Sequence, residues 1–160
     1  MTNHAESFGS ALKVDGADSG AREEQLDFEH FIAELSVQFI NLRDDEVNAA
    51  IRNGLGRMSE PIGLDRSLLS RLDPDGLVLD PLTWTADGIA AADGAAPRRD
   101  RFPQTIERLL QGEVVRFSRL DEIDSETDRA AYETAGTKSA VIVPLSVGGE
   151  IAGAVEFAAV

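Results

Sequence analysis

Two periods organise the apolar residues of the chain. After Leu26, the residues Phe28, Ile32, Leu35, Phe39 and Leu42 follow at spacings of four, three, four and three, with Phe31 and Ile40 widening the stripe. That is the seam of an amphipathic helix. A seam this strict suits packing against another helix, inside the domain or from a second copy of the chain. Asp44 is placed to cap a second helix, in which Val47, Ile51, Leu55 and Met58 share one face and Pro61 ends the run. Its glycines, Gly54 and Gly56, each cost about 1 kcal/mol relative to alanine and permit a close approach to a sheet.

Beyond residue 63 the pattern shortens to strands. Segments 64–72 and 77–85 flank Asp73-Pro74-Asp75-Gly76, a sequence suited to a type I turn closed by a glycine bulge, so they form a hairpin. Residues 87–101 are a long loop of Gly, Ala, Asp and Arg, and loops of that length are functional or disordered. A short helix over 103–110 closes at Gly112, and 113–118 reads as a strand. Ser125 with Asp128 three residues on fits a capping box, and Gly136 fits a left-handed stop, which predicts a helix over 126–135. The last stretch, 139–147 and 150–158 around Gly148-Gly149, is a hairpin whose strands are apolar throughout. Such strands need cover on both faces and belong in the middle of a layered domain. Pro144 conflicts with a central strand, and a bulge or unpaired position is expected there.

Composition sharpens the picture. The chain has 160 residues, the size of one domain, able to bury roughly 70% of its unfolded surface. Residues 1–22 are rich in Gly, Ala, Ser and Asp without apolar period and form a disordered tail, leaving 23–160 as the folded domain. The net charge of −14 repels phosphate backbones and anionic lipid, so neither nucleic acid nor a membrane is an expected partner. With no cysteine there is no disulfide, thiolate metal site, thiol nucleophile or thioether-linked chromophore. No basic n-region precedes an apolar stretch at the N-terminus, and a cytoplasmic location is the expectation.

The order helix, helix, hairpin, helix, strand, helix, hairpin resembles the GAF domain. So do particular segments: Leu35-Ser36, Leu64-Asp65-Arg66, Trp84, Phe102-Pro103, Leu109 through Gly112-Glu113, Gly136-Thr137-Lys138-Ser139, Val143-Pro144-Leu145 with Gly148, and Gly153 with Phe157. The resemblance spans residues 26–158 and is to a bacterial signalling subgroup. It implies an α/β (α+β), GAF/PAS-like fold with a central antiparallel sheet of about five strands and helices on both faces. It also implies a sensory, non-catalytic role that passes a change through helices to an output domain. A histidine kinase, a cyclic-dinucleotide enzyme or a transcription regulator is the host it suggests. The subgroup usually continues into a further amphipathic helix, absent from the sequence given, and often has a tryptophan where this chain has Gln104. No Asn-Lys-Phe-Asp-Glu arrangement of the cyclic-nucleotide-binding members is present, and the cofactor, if one is used, is unknown.

For an unidentified small-molecule ligand the candidate walls are Trp84, Phe102 and Phe117, and the candidate polar handles are Arg66, Arg116 and Ser139. Arg66 shares a strand face with Leu64, Leu68 and Leu72, so it needs a carboxylate partner or a bound anion. Arg98, Arg99 and Arg101 make the one basic cluster, either a lid for an anion or a solvated loop. A homodimer through the Phe28–Leu42 seam is expected, and a ligand-free dimerisation or spacer module is the alternative function. His30 lies opposite Phe28 and Ile32 with Glu34 and Asn41, as a surface residue does. The acids Asp44-Asp45-Glu46 and Asp121-Glu122-Asp124 precede helices, where the backbone dipole favours negative charge. A small enzyme using Glu113 or Asp121 is a weaker rival, and no metal site is expected.

Overall fold

The structure, a computed structural model, describes residues 43–73, 75, 78–89 and 98–160. The expected tail, the first helix with its Phe28–Leu42 seam, His30 and most of the 87–101 loop lie outside them. Two compact units divide the chain, residues 1–47 and 48–160. In the first, the Arg43 amide and guanidinium donate to the two carboxylate oxygens of Glu46 at 3.1 and 3.2 Å.

The second unit is built on a sheet. Helix α1 (Asp44–Ser59) passes into a 3₁₀ turn, Glu60–Ile62, that ends on Gly63 at φ 67°. Strands β1 (Arg66–Leu72) and β2 (Val78–Thr85) form the first hairpin, and β4 (Ser139–Val147) and β5 (Glu150–Ala159) the second. Between them come α2 (Pro103–Leu110), β3 (Val115–Phe117), a 3₁₀ turn at Leu120–Glu122 and α3 (Glu126–Thr134). The five strands lie in the order β2-β1-β5-β4-β3, every neighbour antiparallel. Gly148 and Gly149 take φ of 62° and 91°, the pair of positive values that a two-residue hairpin turn requires and that glycine adopts without strain.

Register assigns each side chain to a face. One row across the sheet runs Thr85, Arg66, Ala158, Ala140, Phe117, and the adjacent row runs Trp84, Ser67, Phe157, Val141, Arg116 on the opposite face. The first face is closed: Ala140, Ile142, Ala154, Ala158, Val115 and Phe117 pack with Phe102, Ile106 and Leu109 of the α2 segment and with Ala131 and Tyr132 of α3 in one buried cluster. On the second face α1 reaches Trp84, where a Cβ on Gly56 would stand 2.6 Å from the indole nitrogen. This is the close approach that a glycine in the second helix anticipated.

Two expectations are corrected. The second hairpin is not wholly covered on its second face: among the described residues Val141 and Leu145 stay 43% and 37% exposed, and the α1 contact lies at Trp84 on the β2 side. Pro144 is not the irregular position: it stays paired with Ala154, and the register slips between Leu145 and Ser146. Pairing with β3 stops at Ile142, so Pro144 sits on a stretch of β4 that is already an edge, where a missing N–H is tolerated. No helix among the described residues is long and apolar enough to cross a membrane.

Strands β1 and β5 approach so closely at Gly153 that a Cβ there would fall against the Ser70 carbonyl oxygen. Gly153→Ala is therefore expected to lower the unfolding free energy by about 1–3 kcal/mol, as over-packing does, in a urea titration. A loss below about 0.5 kcal/mol, the range of neutral surface changes, would contradict that approach.

Candidate functional site

Helix α2 begins awkwardly. Its cap residue is Phe102, which offers no oxygen, and Pro103 follows; the free amides of the first turn need an acceptor from elsewhere. Asp128 supplies it from α3. One carboxylate oxygen accepts the Gln104 amide at 3.2 Å and the other the Thr105 amide at 2.7 Å. The Ser125 hydroxyl donates to the same carboxylate at 2.7 Å and accepts the Asp128 amide at 3.2 Å. The expected capping box is thus only half formed. Its acid turns to the other helix, and the Ser125 amide goes instead to the side-chain oxygen of Gln104 at 3.2 Å. Asp128 is fully buried, which three donors to its carboxylate make tolerable.

Aromatic packing continues the same joint. Tyr132 sits between Phe102 and Phe117, with ring centroids 4.6 and 4.8 Å away and planes tilted by 55° and 54°, pairs worth about 0.5–1.5 kcal/mol each beyond burial. Its hydroxyl lies 3.1 Å from that of Thr105. Burial, with the nearby charge of Glu156 adding to it, holds the phenol far above its ordinary range.

At its other end α3 is held by Arg66. The guanidinium donates to the Ala135 carbonyl at 3.2 Å, the Thr137 hydroxyl at 2.6 Å and Glu156 at 3.4 Å. Arg66 and Glu156 are both almost wholly buried, so the ion-pair account of this arginine applies, its carboxylate coming from the neighbouring strand β5. Burial raises the Glu156 carboxyl, and the single long contact with Arg66 offsets this only in part.

A cleft of about 200 Å³ opens beside this joint, between α2, β3, the segment 118–125 and α3. Thr105, Phe117 and Tyr132 line it, with Arg108, Glu122 and Asp124 supplying charges. Of the six residues proposed for ligand binding, Phe117 lies there, while Arg116 borders it on the same edge strand with its side chain on the opposite face by register. Phe102 is linked to Phe117 through Tyr132 but is wholly buried as core. Arg66 shares the sheet row of Phe117 three strands away, a backbone separation of about 14 Å at 4.8 Å per strand. Trp84 lies on the opposite face, and Ser139, half-buried, pairs with Ala159 at the start of β4. The six therefore do not form one site. Thr105, Tyr132 and Asp124 were missed; the one signal for Tyr132 was that it is the sole tyrosine.

The other candidates are engaged in local pairs. Arg98 meets Asp100 at 3.2 Å, Arg99 donates to the Asp75 carbonyl at 3.1 Å, and Arg101 lies 5.6 Å over the Phe102 ring. Glu113 pairs with Arg108 at 2.9 Å and Asp121 with Arg119 at 3.0 Å. Among the described residues no three acidic or histidine side chains converge as a metal site.

Similar architectures are known. The phycocyanobilin-bound GAF domain of a cyanobacterial phytochrome aligns over 82% of this chain and 79% of its own, with a TM-score of 0.63 and 17% identity. The blue-light absorbing form of the Thermosynechococcus elongatus PixJ GAF domain aligns over 74% of this chain and 73% of its own, at TM-score 0.57 and 14% identity. The chromophore-binding domain of Stigmatella aurantiaca bacteriophytochrome covers 84% of this chain and 52% of its own, at TM-score 0.61 and 16% identity. No family model and no curated protein matches the sequence. At these identities the likeness is one of fold.

Glu156 gives a prediction with a definite sign. Its folded-state acidity is weakened relative to the ordinary value of 4.5, so above that pH the unfolded chain releases a proton that the folded chain retains. The contribution is complete below pH 4.5 and is lost as pH rises through the raised folded value. Wild type should therefore lose stability relative to Glu156→Gln on going upward from pH 4.5, with a limiting slope of about 1.4 kcal/mol per pH unit. Denaturant titrations of both proteins across that range measure the difference; a gap that widens in favour of wild type would reverse the assignment.

Proposed function

From the premise that this chain has the GAF-domain fold, we propose that it is a regulatory, non-catalytic sensory domain of a signal-transduction protein that takes up a small molecule without a covalent bond. The observation that carries the reading is the cleft, whose walls belong to both helices joined by Asp128. A ligand touching Thr105 and Tyr132 touches α2 and α3 at once. A molecule that prefers one spacing of those helices shifts their equilibrium, and the shift is available to an attached output domain. On this reading the partners are the ligand, a second copy meeting through the Phe28–Leu42 seam, and the rest of a larger cytoplasmic chain.

Bilins, carried by the phycocyanobilin-bound neighbour, do not fit here. A thioether needs a cysteine and the chain has none. The face between sheet and helices is filled by Phe102, Phe117 and Tyr132, and about 200 Å³ of cleft is less than the roughly 300–1,000 Å³ of a drug-sized pocket. For the non-catalytic part of the reading, Glu113 and Asp121, the two acids a small enzyme would use, lie on the surface beside Arg108 and Arg119, and neither is among the residues that line the cleft.

A thermal-shift screen of the 160-residue chain against small polar metabolites tests the proposal. A ligand at one hundred times its dissociation constant adds about 2.7 kcal/mol, or about 5–10 °C for a domain of this size. A chain that responds to no metabolite is a dimerisation or spacer module instead.

A further inference from the structure

The C-terminal end of α3 rests on an ion pair that is only half made. Glu156 is buried on β5, yet one of its oxygens has a single contact, the Arg66 guanidinium at 3.4 Å, and the other, Oε2, has no partner among the described residues. Arg66 is in the complementary position. Its terminal nitrogens donate to the Ala135 carbonyl, the Thr137 hydroxyl and Glu156, while its equally buried Nε donates to nothing. The unused donor and the unused acceptor thus belong to the same pair. A guanidinium that offers Nε and one terminal nitrogen together grips both oxygens of a carboxylate and adds a second charge-assisted bond. Arg66 is turned instead toward the helix end, which it holds at 3.2 and 2.6 Å.

The charge on Glu156 decides between the two arrangements. A neutral carboxyl with one long contact is a modest cost in a core, whereas an ionised one with a bare oxygen is a large one. Burial accordingly weakens the acidity of Glu156. Across the register it stands between Leu68 and Ile142, which bring no charge. Besides Arg66, the titratable groups on this side among the described residues both come from α3: Tyr132, whose hydroxyl is engaged with Thr105, and Asp128, whose carboxylate already has its three donors. Neither supplies a donor to Oε2, so an ionised Glu156 has only Arg66 to turn to.

We infer that the Arg66–Glu156 pair is a proton-operated latch on the C-terminal end of α3. With Glu156 protonated, Arg66 holds Ala135 and Thr137. When the proton leaves to solvent, the guanidinium turns to fork both carboxylate oxygens and releases the helix end. Two arrangements of the same groups make a two-state element that pH biases. Tyr132 of α3 is a wall of the cleft, so the latch sets how firmly that wall is held. The inference goes beyond the sensory reading and requires no ligand in the cleft.

Nuclear magnetic resonance on the intact chain follows both halves of the latch. The side-chain carboxyl carbon of Glu156 reports its proton. Amide exchange at Gly136 and Thr137, which donate to the Glu133 and Tyr132 carbonyls, reports the helix end. On raising the pH from 4.5, the Glu156 carbon should titrate above that value. In the same step, protection at Gly136 and Thr137, corrected for the base-catalysed intrinsic rate, should fall about tenfold or more, while the Gln104 and Thr105 amides on Asp128 keep theirs. In Glu156→Gln, neutral at every pH, the fall should vanish; should that variant not fold, the wild-type titration decides alone. A carboxyl that titrates at or below 4.5 would overturn the latch. So would protection at Gly136 and Thr137 that does not follow the carboxyl, a fall that persists in Glu156→Gln, or a loss shared equally by Gln104, Thr105 and β5.

Discussion

The arrangement depends on one buried carboxylate. A helix of eight residues that starts on Phe102 and Pro103 has no local way to satisfy its first-turn amides. Asp128, more than twenty residues on, accepts two of them and so fixes the start of α2 to the first turn of α3. That joint brings Phe102 and Tyr132 into contact and leaves Phe117 of β3 to close the stack. Without it, α2 would have to find water for its amides and the aromatic stack would lose the alignment of its two helical members. A buried carboxylate deprived of its donors is costly, so the joint favours a single geometry.

Arg66 completes the support from the far end of α3. The carbonyl it binds belongs to Ala135, the cap residue of that helix, where the backbone dipole favours a cation. The same guanidinium reaches Thr137 and Glu156, so the helix end is tied to β5 in the middle of the sheet. Helix α3 is then a strut with a polar anchor at each end and Tyr132 between them. The cleft lies along its anchored N-terminal half.

Much of the fold was legible along the chain because its signals are local. Gly148-Gly149 between apolar runs marks a hairpin whatever surrounds it, and the alternation from Leu64 through Leu72 put Arg66 on the buried face. Gly56 in a helix pointed to a close contact that Trp84 provides. The site was less legible, for physical reasons. Asp128 looked like half of a local capping box, and nothing near it in the chain says that its carboxylate serves another helix. Glu156 is one of 29 acids, and only the register of β1 with β5 selects it as the partner of Arg66. Phe102 and Phe117 were read as ligand walls because aromatics serve in both settings. Which rings close a core and which line a cleft is decided by Tyr132, a residue whose role depends on contacts from α2 and β3 together.

The likeness of the fold to domains whose solved forms include a bilin-bound one and a chain without a cysteine separate architecture from ligand chemistry. What persists is a five-stranded antiparallel sheet with α2 and α3 on one face, α1 against Trp84 on the other, and a small polar cleft at its margin. The most direct test of the joint beneath that cleft is amide hydrogen exchange at Gln104 and Thr105. First-turn amides of a helix ordinarily exchange quickly because they lack intrahelical partners. Anchored by Asp128, these two should instead be protected as strongly as the amides of the central strand β5. Exchange at the rate of an open helix end would mean that the carboxylate does not hold α2, and the account built on that bond would fail.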